Sequence, residues 1–158
     1  MIDLSADLGE GAPREDEIWP MIDSANVACG GHAGDDRSMR EAARRARETG
    51  VRFGAHPSYP DRANFGRRSM AIALPALRES LLEQLSRLRD IAASEGVPLI
   101  HVKPHGALYN DAHRDRDLAQ TIAAAMRAVD PTLAIVCAAS SQMAAAAGEA
   151  GIAVVREA

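Results

Sequence analysis

The chain of 158 residues is poor in three residue types: aromatic residues, cysteine and lysine. Aromatic residues make up only 3% of the sequence, so a packed core must consist mainly of aliphatic side chains and alanine. The two cysteines, Cys29 and Cys137, lie far apart in a chain without a secretory signal, which favours reduced thiols over a disulfide framework. Lys103 is the single lysine against 17 arginines, and a lone ammonium in so arginine-rich a sequence is informative.

Signals for membrane insertion, secretion and nucleic-acid binding are also missing. No apolar run approaches the roughly 20 residues of a membrane span. The first residues enter a strand pattern at once and have no signal-peptide layout, so we expect a cytoplasmic protein. A net charge of −4 without a large basic patch argues against a nucleic-acid partner. Length and a hydrophobic content of 47% fit one globular domain over residues 1–158.

Short apolar runs alternate with amphipathic segments along the chain, which is the pattern of an α/β fold. The apolar runs predict strands at 2–8, 25–29, 51–55, 99–102, 133–137 and 152–155. The periodic segments predict a short helix near 15–22 and longer helices at 36–49, 74–95, 116–129 and 141–150. Because the strands show little alternation, we expect a parallel sheet covered by helices.

Polar side chains follow four of these strands, at the point where each strand ends. They are Asp7, Asn26, His32, His56, Lys103 and His105. The carboxyl ends of parallel strands share one face of a barrel, so we expect these side chains to meet in one site. For Asp7 and Asn26 a structural role is the alternative, since short polar side chains often satisfy turn backbone.

The densest group of polar residues lies in residues 101–109. Pro104 ends the strand ladder there, because proline has no N–H to donate. Lys103 is the strongest catalytic candidate, since an ammonium can lose its proton and a guanidinium cannot. His101 lies inside the strand, where it either shares the face of Lys103 or packs as a core histidine. Tyr109 adds a phenol to the same segment.

Two chemistries fit the converging groups. His32, His56 and His105, together with Asp7, have the imidazole and carboxylate donors that zinc, manganese or iron bind, and the metal set we favour is Asp7, His32 and His56. Without a metal, the same groups serve as acid, base and electrostatic stabilisers. In a loop nearby, Arg67 beside Gly66 can clamp a carboxylate or phosphate, or simply be solvated.

Five runs of sequence stand out together: DLGEG at 7–11, SANVACGGHAGD at 24–35, GAHPSYPD at 54–61, FGRR at 65–68 and HVKPHGALY at 101–109. They resemble the LamB/YcsF family, which is described as the A component of the bacterial ATP-dependent 5-oxoprolinase. The resemblance implies a seven-stranded β/α barrel similar to the glycoside hydrolase/deacetylase superfamily. Because the family is longer, it also implies that the C-terminal part of the barrel is missing from this chain. A barrel left open in this way would leave apolar surface to be covered, for instance by a homo-oligomer.

The same resemblance implies that the protein opens 5-oxo-L-proline to L-glutamate with ATP, in company with separate subunits B and C. Combined with the residue patterns, it makes Asp7, Lys103 and His105 the predicted catalytic residues. The predicted substrate-binding residues are Asn26, His32, Arg67 and Tyr109. No nucleotide-binding fingerprint is present, so ATP contact follows from the resemblance alone.

Two other functions stay open at this point. A metal-dependent deacetylase of N-acetylated sugars would use the same fold, bind metal stoichiometrically and need neither ATP nor partners. A non-catalytic subunit that presents substrate would tolerate loss of Lys103 or His105.

Overall fold

The computed structural model describes residues 2–157, so Met1 and Ala158 of the predicted 1–158 domain lie outside the described residues. Six strands form one sheet, all parallel, and neighbours in the sheet follow the order of the sequence. The strands are β1 Ser5–Leu8, β2 Ser24–Ala28, β3 Arg52–His56, β4 Leu99–Val102, β5 Ala134–Ala138 and β6 Val154–Glu157. The predicted α/β class and parallel sheet are confirmed.

Five α-helices lie between the strands from β2 onward in residues 2–157: α1 Asp36–Thr49, α2 Leu74–Ser94, α3 Gly106–Ala112, α4 Arg116–Val129 and α5 Gln142–Glu149. Helix α1 begins at a capping box. The Asp35 carboxylate accepts from the backbone N–H of Ser38, and the Ser38 hydroxyl accepts from the backbone N–H of Asp35. Helix α2 packs against α1 and α4, and α4 packs against α5. In residues 2–157, no helix is long and apolar enough to cross a membrane.

The core between sheet and helices is aliphatic, as the low aromatic content predicts. Helix α2 shows how it forms: Leu77, Leu81, Leu85 and Leu88 recur every three or four residues and are buried on the side facing the sheet. Cys29 and Cys137 are both buried and free, which agrees with the expectation of reduced thiols.

The sheet is strongly curled, and one side chain demonstrates it. In a flat sheet, five strand spacings would hold β1 and β6 roughly 24 Å apart. Yet Lys103 Nζ lies 3.7 Å from Asp7 Oδ1 on β1 and 3.4 Å from Glu157 Oε2 on β6. The first and last strands therefore bring their carboxyl ends to the same point, and the sheet forms part of a barrel wall.

One row of residues crosses four strands of this sheet. Asp7 pairs in register with Asn26, Asn26 with Gly54, and Gly54 with His101. Gly54 has no side chain, and the His101 ring occupies the space where a Cβ at Gly54 would stand. His101 thereby reaches across β3 and places its Nε2 2.8 Å from the side-chain oxygen of Asn26 on β2.

Several predicted boundaries were wrong. Strand β1 begins at Ser5 and not at residue 2, because the Leu4 carbonyl turns to accept from the backbone N–H groups of Asp23 and Ser24. The predicted helix near 15–22 is two single 3₁₀ turns, Glu15–Glu17 and Trp19–Met21, since Pro20 cannot donate a helical hydrogen bond. Helix α3 was missed. A seventh strand is not among the strands of residues 2–157, and it stays a prediction.

Replacement of Gly54 tests the crossing of β3 by His101. We expect Gly54→Ala to lower the free energy of unfolding by about 2–3 kcal/mol, because the new methyl group overlaps the buried His101 ring. Gly148→Ala is the matched control, since Gly148 lies in α5 with open space around it, and alanine there should stabilise by up to about 1 kcal/mol. Urea denaturation measures both, and equal midpoints for the two variants would contradict the arrangement.

Candidate functional site

The polar groups that follow the strands converge on one open cleft. Its volume is about 340 Å³, and it lies where the carboxyl ends of β1, β3, β4 and β6 meet. The predicted site residues that line it are Asp7, His56, Arg67, Lys103, His105 and Tyr109. The structure thus brings together groups that are far apart in sequence, although their roles stay predictions.

Three imidazoles form a compact buried cluster at the back of the cleft. The His32 and His105 rings stack with centroids 3.6 Å apart and an interplanar angle of 5°. The His56 ring meets the His105 ring edge-on, with centroids 4.8 Å apart. His105 Nδ1 lies 3.0 Å from His56 Nε2. Burial, followed by the charge of His32, lowers the pKa of His105 to about 4, so the ring is neutral and a second proton on it is strongly disfavoured.

Backbone carbonyls fix how two of these rings are oriented. His56 Nδ1 lies 2.6 Å from the carbonyl oxygen of Lys103, and His105 Nε2 lies 2.9 Å from that of Phe65. A carbonyl oxygen only accepts, so each of these nitrogens carries a proton and donates it. The opposite nitrogens, His56 Nε2 and His105 Nδ1, are therefore the ones that face the cluster.

Glu10 is a functional candidate that sequence reasoning missed. Its Oε1 lies 2.8 Å from His32 Nε2, 3.6 Å from His105 Nδ1 and 3.9 Å from His56 Nε2. Burial alone would raise the pKa of Glu10, but the hydrogen bond with His32 and the nearby imidazoles lower it overall. The signal was a carboxylate between two glycines directly after β1, in the DLGEG run.

A second missed residue, Glu15, holds Glu10 in place. The Glu15 carboxylate accepts hydrogen bonds from the backbone N–H groups of Gly9, Glu10 and Ala12 at 3.0–3.1 Å. These hydrogen bonds hold the backbone of the loop after β1 in one conformation. In that conformation the Glu10 side chain contacts the histidines.

Asp7 is oriented by a relay from the sheet. The Asn26 amide donates from Nδ2 to Asp7 Oδ1 at 2.9 Å and accepts on its oxygen from His101 Nε2 at 2.8 Å. Asp7 Oδ2 lies 3.3 Å from His56 Nε2. Burial would raise the pKa of Asp7, but the hydrogen bond with His56 and the charges of His56 and Lys103 outweigh it and lower the pKa. Asn26 uses both ends of its amide on protein groups, which makes it a positioning residue for Asp7.

The opposite wall of the cleft combines Lys103 with Tyr109 and a third missed residue, Glu157. The Lys103 ammonium stands between the carboxylates of Asp7 and Glu157. The Tyr109 hydroxyl accepts from the backbone N–H of Ala138 at 2.9 Å. Burial, together with the Glu157 carboxylate, raises the pKa of Tyr109, so the phenol stays protonated and can donate.

The loop after β3 covers the cluster. The Phe65 ring packs edge-on against both His32 and His105. Gly66 follows with φ +61°, and a Cβ there would come within 3.0–3.1 Å of the same two histidines. Arg67 is exposed at the cleft mouth, with its guanidinium 5.2 Å from the centroid of the Phe65 ring. Only a glycine lets this loop approach the site so closely.

Comparison with known proteins agrees with this arrangement. The profile of the LamB/YcsF family matches residues 2–158. The chain belongs to the LamB/YcsF family. Its fold also superposes on the crystal structure of a lactam utilization protein from Thermus thermophilus, with a TM-score of 0.96 and 44% sequence identity. That alignment covers 99% of this chain and 66% of the Thermus chain, so this chain spans less than two thirds of the relative's length.

The family membership confirms the resemblance carried by the five runs, and the structure explains why those runs belong together. DLGEG supplies Asp7 and Glu10, the second run supplies Asn26 and His32, and GAHPSYPD supplies His56. The other two runs supply the loop at Gly66 and the segment from His101 to Tyr109. Each run places at least one group in the cleft, in the histidine cluster or in contact with them.

The buried state of His101 predicts a pH dependence of stability. Burial lowers the pKa of His101 to about 4, with Arg52, Lys103 and His56 adding to the effect and Asp3 opposing it. Between pH 6.5 and 4 the unfolded chain binds a proton that the folded chain refuses, so stability falls as the pH falls. From pH 7 to pH 5 this residue alone should remove about 2 kcal/mol.

His101→Gln isolates the contribution, because glutamine can still donate to Asn26 and does not titrate in this range. Urea denaturation at pH 7 and pH 5 gives the change in the free energy of unfolding with pH for each protein. His32 and His105 also have lowered pKa values, so the contribution of His101 is the change in the wild type minus the change in the variant. Identical dependences on pH would mean that His101 has the same pKa in the folded protein as in the unfolded chain.

Proposed function

We propose that this chain is the A component of an ATP-dependent 5-oxoprolinase, which opens the lactam ring of 5-oxo-L-proline to give L-glutamate. Membership of the LamB/YcsF family and the close match to a lactam utilization protein support action on a lactam. The single structural observation that carries the proposal is the cleft in which Lys103, Asp7, His105 and Tyr109 face one another. A seventh strand closing the barrel, and a cytoplasmic location, are part of the same proposal.

The chemistry of a lactam explains why these groups are useful together. An amide carbonyl is a poor electrophile, and attack by water places negative charge on its oxygen. In the proposed mechanism Lys103 stabilises that charge with its ammonium, which the carboxylates of Asp7 and Glu157 hold at the cleft wall. Asp7 or His105 accepts the proton of the attacking water. Tyr109 stays protonated and donates a hydrogen bond to the substrate or the departing ring nitrogen.

Asp7 and His105 suit a base for different reasons. The lowered pKa of Asp7 keeps it ionised, and the relay from Asn26 and His101 fixes its direction. His105 is held neutral, with its bare Nδ1 turned inward by the Phe65 carbonyl. Among the other predicted binding residues, Arg67 at the mouth provides a cation for the substrate carboxylate. His32 forms the back wall through its stacking on His105.

ATP enters the proposal through the energetics of the amide. Transfer of the γ-phosphoryl group to the lactam oxygen releases ADP and makes the ring carbon a much better electrophile for water. Cleavage of the carbon–nitrogen bond then frees the amine, and hydrolysis of the acyl phosphate releases phosphate and glutamate. The proposal places the nucleotide reaction in the assembly with subunits B and C, and it leaves open which of the three proteins contacts ATP.

Reconstitution tests the assignment. Mixed with its partner subunits B and C, ATP and 5-oxo-L-proline, the protein should form glutamate, and omission of any one component should abolish the product. Glutamate formation without ATP or partners would contradict the proposal. Release of acetate from N-acetylated sugars under those conditions would instead identify a deacetylase.

Substitution of Lys103 tests its role in the cleft. We expect Lys103→Ala to lower kcat in the reconstituted assay by about 100-fold or more, because the charge that stabilises the oxyanion is lost. Lys103→Arg should be nearly as harmful, since the guanidinium keeps the charge but is bulkier and planar and cannot lose a proton. Arg37→Ala, on the exposed face of α1, is the control and should retain activity.

An arginine variant with near wild-type turnover would show that only positive charge matters at this position. Full activity of both Lys103 variants would support a substrate-presenting protein without catalytic groups.

A further inference from the structure

We propose that Glu10, His32, His56 and His105 form a binding site for one divalent transition-metal ion, with zinc as the best fit. This site does not depend on the substrate or on ATP, and with His105 Nδ1 bound to the ion, Asp7 is the base of the proposed mechanism. One donor atom from each of the four residues can be chosen so that all four lie within 4.8 Å of one another. These residues come from four separate segments of the chain, so the fold, and not a local turn, assembles them.

Four of the six separations between the donor atoms lie near the value for a tetrahedral site. Zinc–nitrogen and zinc–oxygen bonds of about 2.0–2.1 Å place the ligand atoms of a tetrahedron roughly 3.3 Å apart. The distances here are 3.0 Å between His105 Nδ1 and His56 Nε2, and 2.8, 3.6 and 3.9 Å from Glu10 Oε1 to the three histidines. The four atoms span up to 4.8 Å, and the His32 and His105 rings lie in parallel planes. Binding of one ion would therefore draw the side chains inward by up to about 1.5 Å and turn the His32 ring out of its stack on His105.

The tautomers of two histidines also favour a metal ion at this position. Because His56 Nδ1 and His105 Nε2 donate to the carbonyl oxygens of Lys103 and Phe65, the inner nitrogens of the two rings present lone pairs to each other whenever both rings are neutral. Two lone pairs 3.0 Å apart repel unless a cation or a proton lies between them. A metal-bound histidine usually donates its other ring N–H to a carbonyl oxygen, as His56 and His105 do here. That hydrogen bond fixes the ring and raises the basicity of the ligating nitrogen.

His32 completes the set in a different way. Its side chain is fully buried, and its Nδ1 has no hydrogen-bond partner in residues 2–157. No group therefore fixes its tautomer from outside, and the proton on Nε2 can move to Nδ1 without breaking a bond there. His32 can thus present a bare Nε2 to an ion in place of its contact with Glu10.

The donor set favours zinc over the alkaline-earth ions. Three imidazole nitrogens and one carboxylate oxygen suit zinc and its transition-metal neighbours, whereas magnesium and calcium prefer oxygen ligands. Glu10 is the fourth ligand in this assignment, in place of the Asp7 that the sequence favoured. Asp7 Oδ2 lies 3.3 Å from His56 Nε2, but its other oxygen is committed to Asn26 and to the ammonium of Lys103.

The test measures metal directly. The purified protein is stripped with a chelator, dialysed against ZnCl₂ or MgCl₂, freed of excess ion and examined by elemental analysis. We expect about one zinc per chain and no retained magnesium. Cobalt(II) in place of zinc should give the visible absorption of a tetrahedral ion.

Variants decide which residues bind the ion. Glu10→Gln and His105→Gln should weaken zinc binding by about 100-fold or more, since each removes one ligand. His113→Ala and Asp7→Asn are the controls and should keep one zinc per chain, because neither residue belongs to the four-residue cluster. Circular dichroism of each metal-free variant checks that it is folded.

Three results would overturn the proposal. One is a folded wild-type protein that retains less than about 0.1 zinc per chain. Another is unchanged zinc affinity in folded Glu10→Gln and His105→Gln variants. The third is a nitrogen NMR spectrum of the imidazole rings that shows one proton shared between His56 and His105 and does not change when zinc is added. Loss of zinc from Asp7→Asn with retention by Glu10→Gln would also overturn it, since the carboxylate ligand would then be Asp7.

Discussion

The hydrogen-bonded row from His101 through Asn26 to Asp7 is the interaction on which the site depends. It runs across the strands and not along them, and it exists because Gly54 leaves space for an imidazole in the middle of the sheet. The row fixes one oxygen of Asp7, which leaves the other facing His56. A carboxylate on an edge strand, where side chains usually move freely, is thus given a single direction.

The site also depends on the curl of the whole sheet. Asp7 and Glu157 lie on the first and last strands, yet both reach the ammonium of Lys103 on a loop between them. The ammonium attracts both carboxylates across the mouth of the curve, and the low exposure of Lys103 reduces screening by solvent. The cleft is therefore a product of sheet curvature, and a flat sheet with the same sequence motifs would not contain it.

Much of this architecture could be predicted from the sequence, and the exceptions have physical reasons. The helices α1 and α4 were predicted with their observed bounds, because capping residues and a strong apolar face mark them. Helix α3 was missed since its seven residues are too few to show periodicity, and the polar run before it resembled a loop. The convergence of Asp7, His56, Lys103 and His105 followed from the rule that strand ends share a face. Glu10 and Glu157 could not be found in this way, because their contacts depend on loop conformation and on sheet curvature.

The shortage of lysine, noted first as a feature of composition, has a practical meaning once Lys103 is placed in the cleft. A reagent that acylates or reductively alkylates ε-amines has a single target in this sequence, and that target lies beside Asp7 and Tyr109. Covalent labelling at the ε-amine would thus report on the cleft, once label on an α-amino group is set aside. Protection from the label by a small molecule would reveal occupancy of the cleft without any knowledge of the reaction, and the label would itself provide a spectroscopic probe at that position.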